Sequence, residues 1–301
     1  MDLKIASHAG FCFGVRRAVE TTQALLRSGE TVYTLGPIIH NPQVVASLEA
    51  EGARVASSPL DVPLGATAVI RAHGVGRETV EILNGRSVRV VDAACPFVKR
   101  IHELADQAAA SGKDVLVIGD GAHPEVQGIL GWARGRGRAI GSEEDVEALK
   151  LDRPALVVAQ TTIPQSLFER LCALLREKGQ PLDIRNTICR ATAIRQEEAA
   201  HIAAAVDVML VIGGKNSSNT RKLYEACRRL CPRTYLAETA RELEDIPLSA
   251  ADHIGITAGA STSVGTFKEV VARMSDIKNQ EQAELQETMT DSDFMADVEK
   301  T

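Results

Sequence analysis

VRVVDAACPFVKRIHELADQAAASGKDVLVIGDGAHPEVQGIL, residues 88–130, decides the architecture of this 301-residue chain. It opens on a β-branched run ending at Cys95, then enters a stretch whose apolar residues recur at helical spacing. The run DVLVI follows and stops at Gly119, where a polar loop leads into a second helical pattern. Strand, helix, strand, glycine, loop and helix in that order belong to a parallel α/β sheet. Because DVLVI lacks polar alternation, it predicts a strand covered on both faces.

The same grammar recurs on either side. LKIASHAGFC (3–12) leads into FGVRRAVETTQALL, TVYTLG and PIIHNPQVVASL; LDIRNTIC (182–189) leads into RATAIRQEEAAHIAAA, DVMLVIG and GKNSSNTRKLYEAC. Cys12, Cys95 and Cys189 are each followed after 24 residues by Gly36, Gly119 and Gly213, and both series step by 83 and 94 residues. Self-similarity at so long a period means one unit used three times. Each unit also carries a later apolar strand with a polar exit: AVIRAHGV (68–75), ALVVAQTT (155–162) and HIGITAGAS (253–261). The expected fold is α/β, with three small parallel-sheet units in pseudo-threefold arrangement around a central site. Their bounds are 13–95, 96–189, and 190–275 plus 1–12, the N-terminal strand joining the third sheet. Ligands in such sheets lie beyond the carboxyl ends of the strands, so these loops are expected to face one cavity.

Hydrophobic residues make up 45% and charged residues 25%, the profile of a globular chain. No run approaches the ~20 apolar residues of a membrane span, and the first residues lack the apolar core of a signal peptide. Cytoplasmic location is the expectation. The net charge of −6 is concentrated at one end: residues 277–301 hold seven acids and two lysines, which leaves the rest near −1. That excludes a strongly basic nucleic-acid footprint and marks 276–301 as an acidic tail with no evident chemistry.

Six cysteines in a chain without a leader argue for metal or catalytic use over a disulfide framework. Three thiols at matched repeat positions suit a 4Fe–4S cluster with one iron lacking a protein ligand, or a three-thiolate zinc site with one open position. Spacing alone leaves both open. Each thiol is expected where a helix begins, a place that lowers its pKa. Cys172, Cys227 and Cys231 fall in helical patterns and are expected to be core.

HNP (40–42), HGV (73–75) and HPEV (123–126) place His40, His73 and His123 on loops leaving strands. The third repeat offers KNSSN (215–219), with Ser217, Ser218 and Asn219, and GAS (259–261) with Ser261. Imidazoles, hydroxyls, an amide and helix N-termini together suit a polyoxygen anion such as a diphosphate; plain helix capping is the bland alternative for the serines and asparagine. Glu125, beside His123, could deliver protons if desolvated. Thr161, at the exit of the second repeat's later strand, could relay a proton or hold a substrate oxygen. His8, His102, His201 and His253 read as structural or surface residues.

HAGFCFGVRRAVE, IHNPQVV, RAHGV, VDAACPFV, GDGAHPEVQG, AQTT, NTICRAT, GGKNSSNTRKL and ITAGAST together resemble the 4-hydroxy-3-methylbut-2-enyl diphosphate reductases of isoprenoid biosynthesis, over residues 3 to 265. The resemblance implies a three-lobed α/β enzyme that reductively removes an allylic hydroxyl to give isopentenyl and dimethylallyl diphosphates. It implies a 4Fe–4S cluster on Cys12, Cys95 and Cys189, with the substrate hydroxyl at the open iron. His40, His73, His123, Ser217, Ser218, Asn219 and Ser261 would bind the diphosphate, Glu125 would supply protons, and Thr161 would support the hydroxyl. The chain departs from the family's usual pattern after GAS, reading TSVG, and after HPEV, where Gln127 stands in place of the common glutamate. No GxGxxG fingerprint appears, so electrons are expected from an external carrier such as flavodoxin or ferredoxin. Two rivals remain, a three-thiolate zinc hydrolase of a phosphorylated metabolite and a non-catalytic iron–sulfur sensor.

Overall fold

The computed structural model describes residues 2–249 and 251–279; most of the acidic tail, from 280 onward, lies outside the described residues. After β1 (Asp2–Ile5), the first repeat runs through α1 (Phe13–Arg27), β2 (Val32–Leu35), α2 (Pro42–Ala50), β3 (Arg54–Ala56), β4 (Thr67–Ile70), α3 (Arg77–Asn84) and β5 (Arg89–Asp92). The second comprises α4 (Pro96–Ala110), β6 (Asp114–Ile118), α5 (Pro124–Trp132), β7 (Gly137–Ile140), α6 (Glu143–Ala148), β8 (Ala155–Ala159), α7 (Gln165–Glu177) and β9 (Leu182–Ile184). The third contains α8 (Arg190–Ala203), β10 (Val208–Ile212), α9 (Ser218–Arg228), β11 (Thr234–Ala237) and β12 (His253–Ala258), followed by helix over 264–279.

These strands form three four-stranded sheets of one design: β3-β2-β4-β5, β7-β6-β8-β9 and β11-β10-β12-β1, every pairing parallel. The strand before each cysteine is an edge strand in all three. For the third sheet that strand is β1, which pairs with β12 with Leu3 opposite Ile254, as the offset of the repeat predicts. The chain separates into two compact units, Phe11–Ile194 and the N-terminal ten residues with the chain from Arg195. The first two sheets belong to the larger unit and the third to the smaller.

Alternation within the central strands explains the layering. In the second sheet Leu116, Ile118, Val157 and Ala159 pack against Phe168, Leu171 and Leu175 of α7. Their neighbours Val115, Val117, Leu156 and Val158 pack against Ile101 and Ala105 of α4 and Val126 and Ile129 of α5. Successive side chains of a strand point to opposite faces, so an uninterrupted apolar strand requires a helix on each side. In the smaller unit Leu210 and Ile212 join one cluster and Met209 and Val211 the other.

None of the three strands expected to end at a cysteine reaches it: β5 stops at Asp92 and β9 at Ile184, and the first departs furthest. LKIASHAGFC does not continue as a strand to its cysteine; β1 stops at Ile5. The backbone N–H groups of Ser7 and His8 instead donate to the carboxylate of Glu198, at 2.8 and 2.9 Å. Arg195 donates to the carbonyls of His8 and Gly10, at 2.9 and 2.8 Å. Burial opposes charge on Glu198, but its hydrogen bonds from Ser7 and His8 outweigh that and pull its carboxyl down to about 2. Side chains from α8 thus take the hydrogen bonds a strand neighbour would supply, and the segment turns away from the sheet.

Candidate functional site

Cys12 and Cys95 occupy the N-caps of α1 and α4, and Cys189 immediately precedes α8. All three are free and partly exposed, whereas Cys172, Cys227 and Cys231 are buried among aliphatic side chains. Two backbone bonds hold the second and third thiols on equivalent turns. Cys95 N–H donates to Ala72 O and Cys189 N–H to Thr161 O, each at 3.0 Å. Register therefore matches Thr161 with Ala72, and His73 stands one residue further along.

Helix α1 ties the first thiol to the second. Arg17 donates to the carbonyls of Ala94 and Asp92, at 2.9 and 3.1 Å. A Cβ on Gly14 would lie 2.6 Å from Cys95 Sγ, so only glycine lets α1 approach this closely. Burial raises the Cys95 pKa; the N–H groups of Phe97 and Val98 counter it in part, and the neighbouring Cys12 and Cys189 thiols raise it again. The expectation of a thiol acidified by its helix is thus reversed at Cys95, where desolvation and two nearby thiols outweigh the helix start. Binding a metal there displaces a proton.

Among the described residues, the ligand atoms of His40, His73 and His123 all lie within 4.8 Å of one another. Three thiolates suit a 4Fe–4S cluster with one open iron or a three-thiolate zinc site with one open position.

Beside the thiols the three histidines form a cluster, with ring centroids at 4.5, 5.3 and 5.5 Å. Burial above all, then His40, His123 and Arg71, hold the His73 imidazole well below its usual pKa. His73 is therefore a neutral imidazole at pH 7, and its buried Nδ1 has no hydrogen-bond partner among the described residues. Glu125, 2% exposed, lies in the first turn of α5. Its carboxylate accepts from Thr161 N–H at 2.6 Å and from the Thr161 hydroxyl at 2.8 Å. One continuous path thus runs from the buried acid through Thr161 to the Cys189 turn. Gln127 donates its amide to Gly121 O, a bond a carboxylate could not donate.

The smaller unit has its own polar cluster. Ser217 caps α9 by accepting from Thr220 N–H, and the Ser261 hydroxyl donates to Ser217 Oγ at 3.3 Å. Ser217, Ser218, Asn219 and Ser261 are all buried. Neither amide atom of Asn219 meets a partner among the described residues. A buried amide unsatisfied at both ends is costly unless a ligand completes it.

Sequence reasoning found the thiols, the histidines, Glu125 and Thr161, which the fold gathers in the larger unit, and the serine–asparagine set, which it gathers in the smaller. It missed Gly14, Arg17 and Arg71. The run FGVRR offered a faint signal for the first two, but their partners lie some 80 residues away.

Three four-stranded parallel sheets of one design, with free thiols at helix starts and a buried acid–hydroxyl pair, define a repeated α/β protein. Residues 3–275 match the LytB protein family, and the chain belongs to that family. It is 46% identical to the 4-hydroxy-3-methylbut-2-enyl diphosphate reductase of Geobacter sulfurreducens, covering 93% of this chain and 99% of that one. It resembles a solved (E)-4-hydroxy-3-methyl-but-2-enyl diphosphate reductase, described as the terminal enzyme of the non-mevalonate pathway, at 42% identity, 92% and 100% coverage and a TM-score of 0.69. The E-1-hydroxy-2-methyl-but-2-enyl-4-diphosphate reductase of Plasmodium falciparum superposes with a TM-score of 0.85 at 29% identity, over 90% of this chain and 87% of that one.

Proposed function

We propose that the chain is a cytoplasmic 4-hydroxy-3-methylbut-2-enyl diphosphate reductase. It would convert (E)-4-hydroxy-3-methylbut-2-enyl diphosphate, two electrons and two protons to isopentenyl or dimethylallyl diphosphate and water. The observation that carries this reading is the pairing of buried Glu125 with Thr161, whose carbonyl accepts from the Cys189 N–H. Cys12, Cys95 and Cys189 would hold a 4Fe–4S cluster, which supplies single electrons and a Lewis-acidic iron when bound. The three repeats, 13–95, 96–189, and 190–275 with 1–12, each bring one of these thiols.

The side chains account for the remaining chemistry. His40, His73 and His123 from the larger unit and Ser217, Ser218, Asn219 and Ser261 from the smaller would donate to the diphosphate oxygens. Neutral His73 serves as a hydrogen-bond donor there, and the Asn219 amide gains the partner it otherwise lacks. An allylic hydroxide is a poor leaving group, so a proton must reach the oxygen as the C–O bond breaks. Glu125 passes that proton through the Thr161 hydroxyl, the oxygen leaves as water, and a second proton ends on an allylic carbon. Electrons arrive from a separate carrier such as flavodoxin or ferredoxin.

Protein purified without oxygen should hold about four irons per chain and reduce the substrate with a chemically reduced dye. An iron-free preparation with full activity, or one with stoichiometric zinc and oxygen-indifferent activity, would refute the proposal.

A further inference from the structure

The mechanism above leaves Arg71 unused. Arg71 follows β4, two residues before His73, and is half-buried. Its Nε donates to Gly74 O at 3.4 Å, across the turn that carries His73. Its Nη1 rests against Gly36, which opens the loop ending in His40: a Cβ built on Gly36 would lie 2.5 Å from that nitrogen. Gly36 also has a φ of +72°, which a side chain rarely adopts. One guanidinium therefore touches both histidine turns.

Among the described residues no carboxylate lies within 4.0 Å of that guanidinium, whereas Arg77, Arg89, Arg134, Arg170, Arg185 and Arg233 each have one. A desolvated charge without a counter-charge is unfavourable, and burial accordingly lowers the Arg71 pKa. Its field reaches the cradle, since Arg71 is among the groups that disfavour protonation of His73. The side chain is held where its charge is costly until an anion arrives beside it.

We propose that Arg71 is a positioning residue of the diphosphate cradle: it braces the His40 and His73 turns and supplies the permanent positive charge that a bound diphosphate neutralises. This rests on the reductase reading. Arg71 need not touch the substrate, because a fixed charge a few ångströms away in a poorly hydrated site still contributes to anion affinity.

The test compares wild-type holoenzyme with Arg71→Met and Arg71→Lys, using inorganic diphosphate as the binding probe and the allylic substrate for kinetics. Arg71→Met should weaken diphosphate binding and raise KM about tenfold, equivalent to ~1.4 kcal/mol, with kcat within about threefold and cluster content unchanged. Arg71→Lys, which keeps the charge and loses the fork, should recover most of the affinity. The ionic-strength dependence of diphosphate binding should be shallower in Arg71→Met than in wild type or Arg71→Lys. Wild-type affinity in Arg71→Met would overturn the proposal. So would equal losses in both variants, or an unchanged salt dependence, since either leaves only a structural role. If Arg71→Met does not accumulate, Arg71→Lys decides by its salt dependence and affinity: near wild type supports the proposal, and a tenfold loss overturns it. A wild-type protein that binds diphosphate but fails to reduce the substrate would count against the reductase reading and leave the Arg71 comparison intact.

Discussion

Two loops in the larger unit start from the same backbone position and do different work. After β2 the chain reads His40-Asn41-Pro42-Gln43; after β6 it reads Ala122-His123-Pro124-Glu125. In the first, Asn41 caps α2, its Oδ1 accepting from Gln43 and Val44 N–H at 3.0 and 3.2 Å. In the second, His123 is itself the cap, its Nδ1 accepting from Glu125 N–H at 3.1 Å. The first loop separates capping from chemistry and leaves Gln43 exposed. The second merges them and buries Glu125 against Thr161. The second residue of a capped helix is a fixed place in space, and the repeat has used it for an exposed amide once and for a buried acid once.

The largest contrast should come from those two first-turn residues. Glu125→Gln should lower kcat at least ~100-fold, the range for losing a general acid, while diphosphate affinity stays within about threefold. Gln43→Ala should change neither by more than about twofold. Single-turnover rates measure both; a Glu125→Gln enzyme with normal kcat would remove the distinction between the loops.

A smaller contrast concerns the caps. His123→Asn retains a side chain able to cap α5, so stability should hold while inorganic diphosphate affinity drops roughly tenfold, for one lost charge-assisted hydrogen bond. Asn41→Ala should do the converse, costing about 1 kcal/mol of stability with affinity nearly intact. Thermal melts beside diphosphate titrations separate the two; parallel behaviour would mean that His40 depends on its neighbour's cap.

The mildest effect lies at His102, which packs against the turn after His73 and against α5. A Cβ on Gly74 would lie 2.4 Å from its ring and one on Gly128 3.3 Å away, and the ring stacks on Trp132. Burial holds its pKa down at about 4. The unfolded chain takes up a proton near pH 6.5 that the folded one refuses, so stability falls as pH drops below 6.5, by roughly 1 kcal/mol at pH 5.5. His102→Gln should flatten that slope in denaturant titrations; an unaltered slope would assign it to another group.

Much of this was legible because the repeat writes itself in residues that only one role explains. Cysteine–glycine phasing marked the edge strands and the thiols, and apolar runs without alternation marked β6, β8 and β10. What stayed hidden was non-local. Nothing in LKIASHAGFC announces that Glu198 and Arg195, more than 180 residues on, end the strand at Ile5. The thiol of Cys95 was expected to be acidic from its helix, but the burial that reverses the shift depends on packing. Arg71 read as part of a motif because its contacts with the His40 and His73 turns belong to the folded state. His102, expected to be structural, is so.

The pairing of β1 with β12 has a consequence for synthesis. Leu3 leaves the ribosome first and meets Ile254, some 250 residues later; at 5–20 residues per second that is a delay of roughly 12–50 s. Throughout it, the smaller unit's outermost strand has no neighbour, while the two sheets of the larger unit are completed in turn, once β5 and then β9 have been made. The nascent chain therefore carries an open hydrogen-bonding edge at β1 until β12 has been made. Its shortness, four residues with an exposed Lys4, makes that edge a poor template for stray strands in the interval.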